Sequence, residues 1–158
     1  MYDPLPCLSW PRWEVAAPSP APGRGPVRKT SLRTLAEVPR VLEAVVATLA
    51  GAGYSSQDQF AVRLALEEAV VNAIKHGHGF DPTREVRVLW EVTQQAARLE
   101  VEDEGPGFDP TEVPDPRQPE NLDRPCGRGL LLMRHFLTRV EHRGRGNRVL
   151  LFKQRSQA

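Results

Sequence analysis

Two polar residues lie on one face of a stretch that is otherwise apolar. Between residues 57 and 76, apolar side chains recur around most of a helix circumference, which is typical of a largely buried helix. Glu68 and Asn72 interrupt this pattern, and their spacing of four residues places them on the same helix face. Polar groups in an apolar surround cost several kcal/mol when they have no partner. Each must therefore pair, either in a structural hydrogen bond or with a ligand, and the sequence leaves both alternatives open.

A second candidate group follows a predicted strand. Leu99 and Val101 alternate with polar residues, and the same period of two places Asp103 on the core-facing side at the strand end. The motif EGPG comes next, at residues 104–107. Its two glycines allow the backbone to turn sharply and to approach a ligand closely. A plain turn is the alternative interpretation.

A third motif, GRG at residues 127–129, precedes an apolar, helix-patterned stretch at residues 130–137. The first N–H groups of a helix have no intrahelical partner and lie at the positive end of its dipole. A glycine-rich loop at this point therefore predicts an anion site. A flexible loop before a core helix is the alternative.

The elements that position these motifs follow from periodicity. The patterns predict a strand at 28–33, helices at 35–50 and 57–76, a hairpin spanning 86–101, and a closing hairpin with strands at 138–143 and 148–153. Thr34 with Glu37, and Ser56 with Gln59, match capping boxes at the two helix starts. The order of elements predicts an α+β fold, a two-layer sandwich with helices on one face of a mixed, mostly antiparallel sheet.

Composition excludes several classes of protein. The 158 residues include 21 Lys and Arg against 20 Asp and Glu, so a nucleic-acid-binding domain with a basic excess is not indicated. Two cysteines are too few for a disulfide framework. No apolar run approaches the roughly 20 residues of a membrane span, and no secretory signal is visible. We therefore expect a cytoplasmic protein that contacts neither nucleic acid nor membrane directly.

The 15 prolines are concentrated in two blocks. Seven lie before residue 27, in a stretch too poor in apolar side chains to fold, so we expect a disordered arm at residues 1–27 and one domain at residues 28–158. Six more lie from residue 106 to residue 125, the first inside the second motif and the other five between the second and third motifs. Long inserts of this kind inside a compact domain are typically lids or linkers.

Together the three motifs resemble the Bergerat-fold ATP-binding domain, whose superfamily includes DNA gyrase and the histidine kinases. The N box corresponds to EAVVN at residues 68–72, the first glycine box to DEGPG at 103–107, and the second to GRGL at 127–130. The resemblance covers roughly residues 30–153. Within the superfamily, the segment EEAVVNAIKHGHG and the small chain most resemble the stand-alone anti-sigma-factor serine/threonine kinases of bacteria.

The resemblance implies a role for each motif. Asp103 would accept a hydrogen bond from the adenine amino group, Asn72 would hold Mg²⁺ through its side-chain oxygen, and Glu68 would orient or deprotonate the attacking hydroxyl. The other residues that it assigns to ATP binding are Gly105, Gly107, Gly127, Arg128, Gly129 and Asn147. The glycines of the first box let the chain pass close to the base, and the GRG motif cradles phosphates. Asn147 stands where many relatives have a threonine.

The function that the resemblance implies is that of an anti-sigma factor with kinase activity. Such a protein uses ATP and Mg²⁺ to phosphorylate a small anti-sigma-factor antagonist on serine or threonine, and it sequesters a sigma factor. Relatives are commonly homodimers. Two alternatives remain: a non-catalytic, ATP-responsive binding module of a partner-switching system, and a purely structural α+β domain.

Overall fold

The computed structural model describes residues 25–106, 135–144 and 146–157. Its strands are β1 (Val27–Leu32), β2 (Val86–Val92), β3 (Ala96–Glu102), β4 (Arg139–Arg143) and β5 (Arg148–Gln154). Its helices are α1 (Val38–Gly51), preceded by a 3₁₀ turn at Leu35–Glu37, and α2 (Ser56–Asn72), continued by a π-helical turn at Ala73–Gly77. Among the described residues, no helix is long and apolar enough to cross a bilayer.

The strands form one sheet in the order β1-β2-β3-β5-β4, and all four pairings between described strands are antiparallel. Both predicted hairpins are confirmed. In the first, Trp90 lies opposite Leu99, and in the central pairing Leu99 lies opposite Leu151. This register carries the apolar side chains of neighbouring strands to the same face of the sheet.

The core lies between that sheet face and the two helices. The largest fully buried side chains come from both layers: Leu32, Val41, Val45, Leu49, Val62, Leu66, Val70, Ile74, Val86, Leu99 and Leu151. Burying one such side chain contributes roughly 1.5–3 kcal/mol relative to leaving it in water. The two-layer α+β class is thus confirmed.

The predicted capping box of Thr34 and Glu37 is present, but it begins a 3₁₀ turn, and α1 itself starts three residues later than predicted, at Val38. The Glu37 carboxylate accepts hydrogen bonds from the backbone N–H groups of Thr34 (3.0 Å) and Arg33 (2.7 Å), which completes the capping box. These two bonds are the main reason that the pKa of Glu37 lies below its ordinary value. Pro39 occupies the first turn of α1, where its missing N–H costs no helical hydrogen bond.

The capping box predicted for Ser56 and Gln59 is wrong. Ser55 is the N-cap residue: its backbone is extended, and its hydroxyl accepts a hydrogen bond from the Asp58 N–H at 3.1 Å. Gln59 instead donates from its side chain to the Tyr54 carbonyl at 2.8 Å. The two adjacent serines satisfy the same sequence pattern, and only the backbone conformation decides which one lies outside the helix.

A buried carboxylate ties the end of the chain to α2. Asp58 is 2% exposed and accepts hydrogen bonds from the backbone N–H (2.9 Å) and the hydroxyl (2.6 Å) of Ser156, with the Lys153 ammonium 3.5 Å away. Burial opposes ionisation, but these hydrogen bonds and the lysine charge hold the pKa of Asp58 below its usual value. The charge is therefore paired, and the contact fixes β5 against the start of α2.

Candidate functional site

The C-terminal half of α2 carries the two polar residues that interrupt its apolar pattern. Glu68 and Asn72 are both partly exposed, and buried Ala65 and Ala69 lie beside them on the helix. Within the described part of the chain, neither side chain makes a hydrogen bond to another residue. Because both side chains are partly exposed, water can satisfy them, and both alternatives that the sequence leaves open remain open.

The electrostatic surroundings of Glu68 suit a proton acceptor. Burial raises the pKa of its carboxyl above the ordinary 4.5, the neighbouring charge of Glu67 raises it further, and Lys75 partly offsets both. Glu67 itself is exposed. A carboxylate with a raised pKa holds a proton more tightly, and this makes it a better general base near neutral pH.

Helix α2 ends in a wide turn that sequence reasoning missed. The N–H of His78 donates to the Ala73 carbonyl at 3.0 Å, five residues back, and Ala73–Gly77 is π-helical. Gly79 and Phe80 then have positive φ angles of 57° and 62°, which reverse the chain. Single π turns inside helices are frequent at functional sites, because they redirect the residues that follow.

This turn brings Gly77 directly against Asp103. A Cβ atom on Gly77 would lie 2.5 Å from one carboxylate oxygen of Asp103 and 2.7 Å from the other. A Cβ atom on Gly105 would in turn overlap the Gly77 carbonyl. Only glycine fits at either position, so Gly77, Asp103 and Gly105 form a close-packed group, which we call the glycine cradle.

The backbone of Asp103 is fixed from a neighbouring strand end. Its N–H donates to the Asn147 carbonyl at 2.9 Å, and the Asn147 side-chain amide donates to the Asp103 carbonyl, also at 2.9 Å. On the other side, the Gly105 N–H donates to the Asp103 carboxylate at 2.8 Å. Asn147 thus holds Asp103 in place through two hydrogen bonds, a role that its position in the closing turn did not indicate.

The structure brings several of the predicted site residues into one region. Asp103, Gly105 and Asn147 are in contact, and Glu68 and Asn72 lie on the helix whose terminal turn reaches Asp103. Four others lie outside the described residues: Gly107, Gly127, Arg128 and Gly129. The second glycine box and the proline-rich insert before it therefore stay predictions. The same holds for most of the arm, because residues 1–24 are not described.

The chemistry of the cradle and of α2 fits a purine nucleotide with a divalent cation. A carboxylate beside two residues without side chains can accept a hydrogen bond from an amine on a flat ring that lies close to the backbone. The amide oxygen of Asn72 is of the ligand type that Mg²⁺ accepts. The donor set of the described residues is compatible with both groups.

A family comparison agrees with this geometry. A model of the histidine kinase-like ATPase domain matches residues 31–153 of the chain. Because the match covers most of the sequence, the chain belongs to the histidine kinase-like ATPase domain family. Membership of that family implies ATP binding.

Individual relatives match over part of the chain. The serine/threonine-protein kinase BtrW of Bordetella bronchiseptica is 29% identical over 94 residues, which cover 58% of this chain and 66% of BtrW. The anti-sigma F factor of Shouchella clausii is 32% identical over 79 residues, or 48% and 53% of the two chains. The serine-protein kinase RsbW of Bacillus licheniformis is 37% identical over 57 residues, 36% of each chain. The matched segment spans less than two thirds of the length of each relative named here.

Proposed function

We propose that this protein is an ATP- and Mg²⁺-dependent serine/threonine kinase that acts as an anti-sigma factor. The observation that carries the proposal is the pair Glu68 and Asn72, which share one face of α2 without a hydrogen-bond partner among the described residues. Their helix ends at the glycine cradle. The distant relationship to a serine kinase and to an anti-sigma factor supports the same conclusion.

In this proposal the cradle binds the base. Asp103 accepts a hydrogen bond from the adenine amino group, and Asn147 keeps the Asp103 backbone in register. Gly105 lets the loop pack against the Gly77 carbonyl beside Asp103, and Gly107 continues the same loop. The phosphates are bound by the backbone N–H groups of the GRG motif at residues 127–129, with charge from the arginine.

At the α2 end of the proposed site, Asn72 would hold a magnesium ion through its amide oxygen, and the ion would supply positive charge that offsets the charge of the phosphates. Glu68 orients the partner hydroxyl and accepts its proton, a task for which its raised pKa is suited. Phosphoryl transfer depends mainly on positioning and on charge neutralisation, so one carboxylate and one metal ion are enough to catalyse it.

The proposed partners are a small anti-sigma-factor antagonist, which receives the phosphoryl group, and a sigma factor, which is sequestered. We place the ATP-binding domain at residues 28–158, with residues 1–27 as an arm outside it, and β1 begins at the last residue of that arm. The proposed site of action is the cytoplasm, and assembly into a homodimer belongs to the same proposal.

Nucleotide binding is tested first at Asn72. Because Asn72 is proposed to hold the metal, Asn72→Ala should weaken ATP binding in the presence of Mg²⁺ by about tenfold or more. It should also bring the affinity to the level measured for the unaltered protein in excess EDTA. Isothermal titration calorimetry measures both affinities. Gln57→Ala, at an exposed polar position in the first turn of the same helix, is the matched control and should bind like the unaltered protein.

If Asn72→Ala and the unaltered protein bound ATP equally tightly, Asn72 would not be the residue that holds the metal. Magnesium-dependent binding without phosphorylation of any antagonist would instead favour the non-catalytic binding module. If the protein did not bind ATP, the remaining alternative would be a purely structural α+β domain.

A further inference from the structure

A buried histidine joins the end of α2 to the loop at residues 103–105, which we call the cradle loop. His78 is 5% exposed, and its Nε2 atom accepts a hydrogen bond from the backbone N–H of Glu104 at 2.8 Å. Glu104 stands between Asp103 and Gly105, so the bond holds the middle of the loop. An imidazole nitrogen that accepts must be unprotonated, and the ring proton then lies on Nδ1.

The loop is held from opposite sides. Asn147 holds the Asp103 backbone through two hydrogen bonds, His78 holds the Glu104 backbone, and the Glu104 carboxylate accepts from the Glu85 N–H at 2.9 Å. His78 also follows Gly77 directly in the chain, so the residue that binds the loop adjoins the residue that packs on the Asp103 carboxylate. Loss of the His78 bond frees the side of the loop next to Gly77.

We propose that His78 is a positioning residue of the nucleotide site. Through its hydrogen bond to Glu104 it keeps the loop against Gly77 and so orients the Asp103 carboxylate toward the adenine amine. This inference rests on the proposed function, because it assigns His78 to the same site. His78 does not touch the nucleotide, and it acts only through the loop.

The surroundings of His78 predict how this role depends on pH. Burial lowers the pKa of the imidazole below its ordinary 6.5; Glu104 and Asp81 oppose this effect, and Arg84 adds to it. A histidine with a lowered pKa stays neutral down to a pH below 6.5, and its contribution is present above that value. As the pH falls through the lowered pKa, Nε2 gains a proton and faces the Glu104 N–H with a second donor. The loop contact is then lost.

Fluorescently labelled ATP with Mg²⁺, titrated between pH 8 and pH 5, tests this role with three variants. The unaltered protein should bind with constant affinity above pH 7 and should lose about tenfold or more in the acid range. His78→Gln offers an acceptor that does not titrate, so it should bind within about threefold of the unaltered protein at pH 7.5 and should show a weaker acid loss. His78→Leu should bind about tenfold more weakly at every pH. His135→Gln, at an exposed histidine, should keep the full response to pH.

Three further measurements separate the possible outcomes. Nitrogen chemical shifts of His78 and the hydrogen-exchange rate of the Glu104 amide report the bond without any nucleotide, and circular dichroism reports folding of each variant. Unaltered ATP affinity in a folded His78→Leu, or an equal acid loss in His78→Gln, would overturn the positioning role while leaving the proposed function intact. Failure of the unaltered protein to bind ATP at pH 7.5, with the Glu104 amide protected, would overturn the proposed function and with it this role.

Discussion

Glu68→Gln is expected to lower phosphoryl transfer to the antagonist by about 10²- to 10⁴-fold, the usual contribution of a general base. Glutamine preserves the size of the side chain and one acceptor oxygen, but it replaces the other oxygen with an NH₂ donor and cannot accept the proton. ATP affinity should change little, because the carboxylate is assigned to the hydroxyl of the partner and not to the nucleotide. Transfer of radiolabel from ATP, with affinity measured by calorimetry on the same samples, checks both statements.

The same substitution should stabilise the fold at neutral pH. Burial raises the pKa of Glu68, so the folded state disfavours its charge, and ionisation above the ordinary value of 4.5 costs stability. Removing the charge should therefore raise the melting temperature at pH 7, and this gain should disappear as the pH falls below the ordinary value. A gain in stability together with a loss of activity is typical of a residue kept for function.

Glu67→Gln is the matched control, since Glu67 is the exposed neighbour on the same helix. It should retain phosphoryl transfer within a small factor. Undiminished transfer in Glu68→Gln, or an equal loss in both variants, would contradict the assignment of Glu68 as the base.

Gly77→Ala is expected to weaken ATP binding by about tenfold to a hundredfold, the value of a lost hydrogen bond to a charged group. The new methyl group would overlap the Asp103 carboxylate and force that side chain away from its position. The backbone at Gly77 does not have a positive φ angle, so the backbone conformation itself suits alanine and the only conflict is with Asp103. On helix propensity alone it should stabilise the turn by about 1 kcal/mol. The loss of affinity would therefore come from the contact with Asp103.

Gly51→Ala separates the effect of helix propensity from the effect of overlap with Asp103. Gly51 is the last residue of α1, has no positive φ angle, and has no atom within 4 Å of a Cβ built on it. This variant should gain roughly 0.5–1 kcal/mol of stability and keep its ATP affinity. If Gly77→Ala also kept full affinity, Asp103 would not be the group that binds the base.

Periodicity predicts much of this fold because its elements are regular. The strands of both hairpins alternate clearly, and the parity of Leu99 and Val101 carries over to Asp103, whose carboxylate does face the helix layer at Gly77. The face shared by Glu68 and Asn72 follows from helical spacing alone. These features depend on residues close together in sequence, and a single sequence contains that information.

The features that the sequence did not reveal depend on tertiary contacts. The sequence pattern ends the second helix at residue 76, just before Gly77, but it does not indicate the packing against Asp103 that requires a glycine there. No sequence pattern indicates the local π turn at Ala73–Gly77. The hydrogen bond of His78 to Glu104 joins segments that are far apart in the chain. The N-cap was assigned one residue late because adjacent serines satisfy the same rule.

The central claim is that Asp103 in the glycine cradle recognises adenine, and nucleotide selectivity tests it most directly. Calorimetric titration of the unaltered protein with ATP and with GTP, both with Mg²⁺, compares two ligands that share every phosphate contact. Guanine presents a carbonyl oxygen where adenine presents its amine, so it would face the carboxylate with an acceptor. ATP is therefore expected to bind at least about tenfold more tightly than GTP, because GTP loses a hydrogen bond to a charged group and places an acceptor against the carboxylate. Equal affinity for the two nucleotides, or no binding of either, would contradict it.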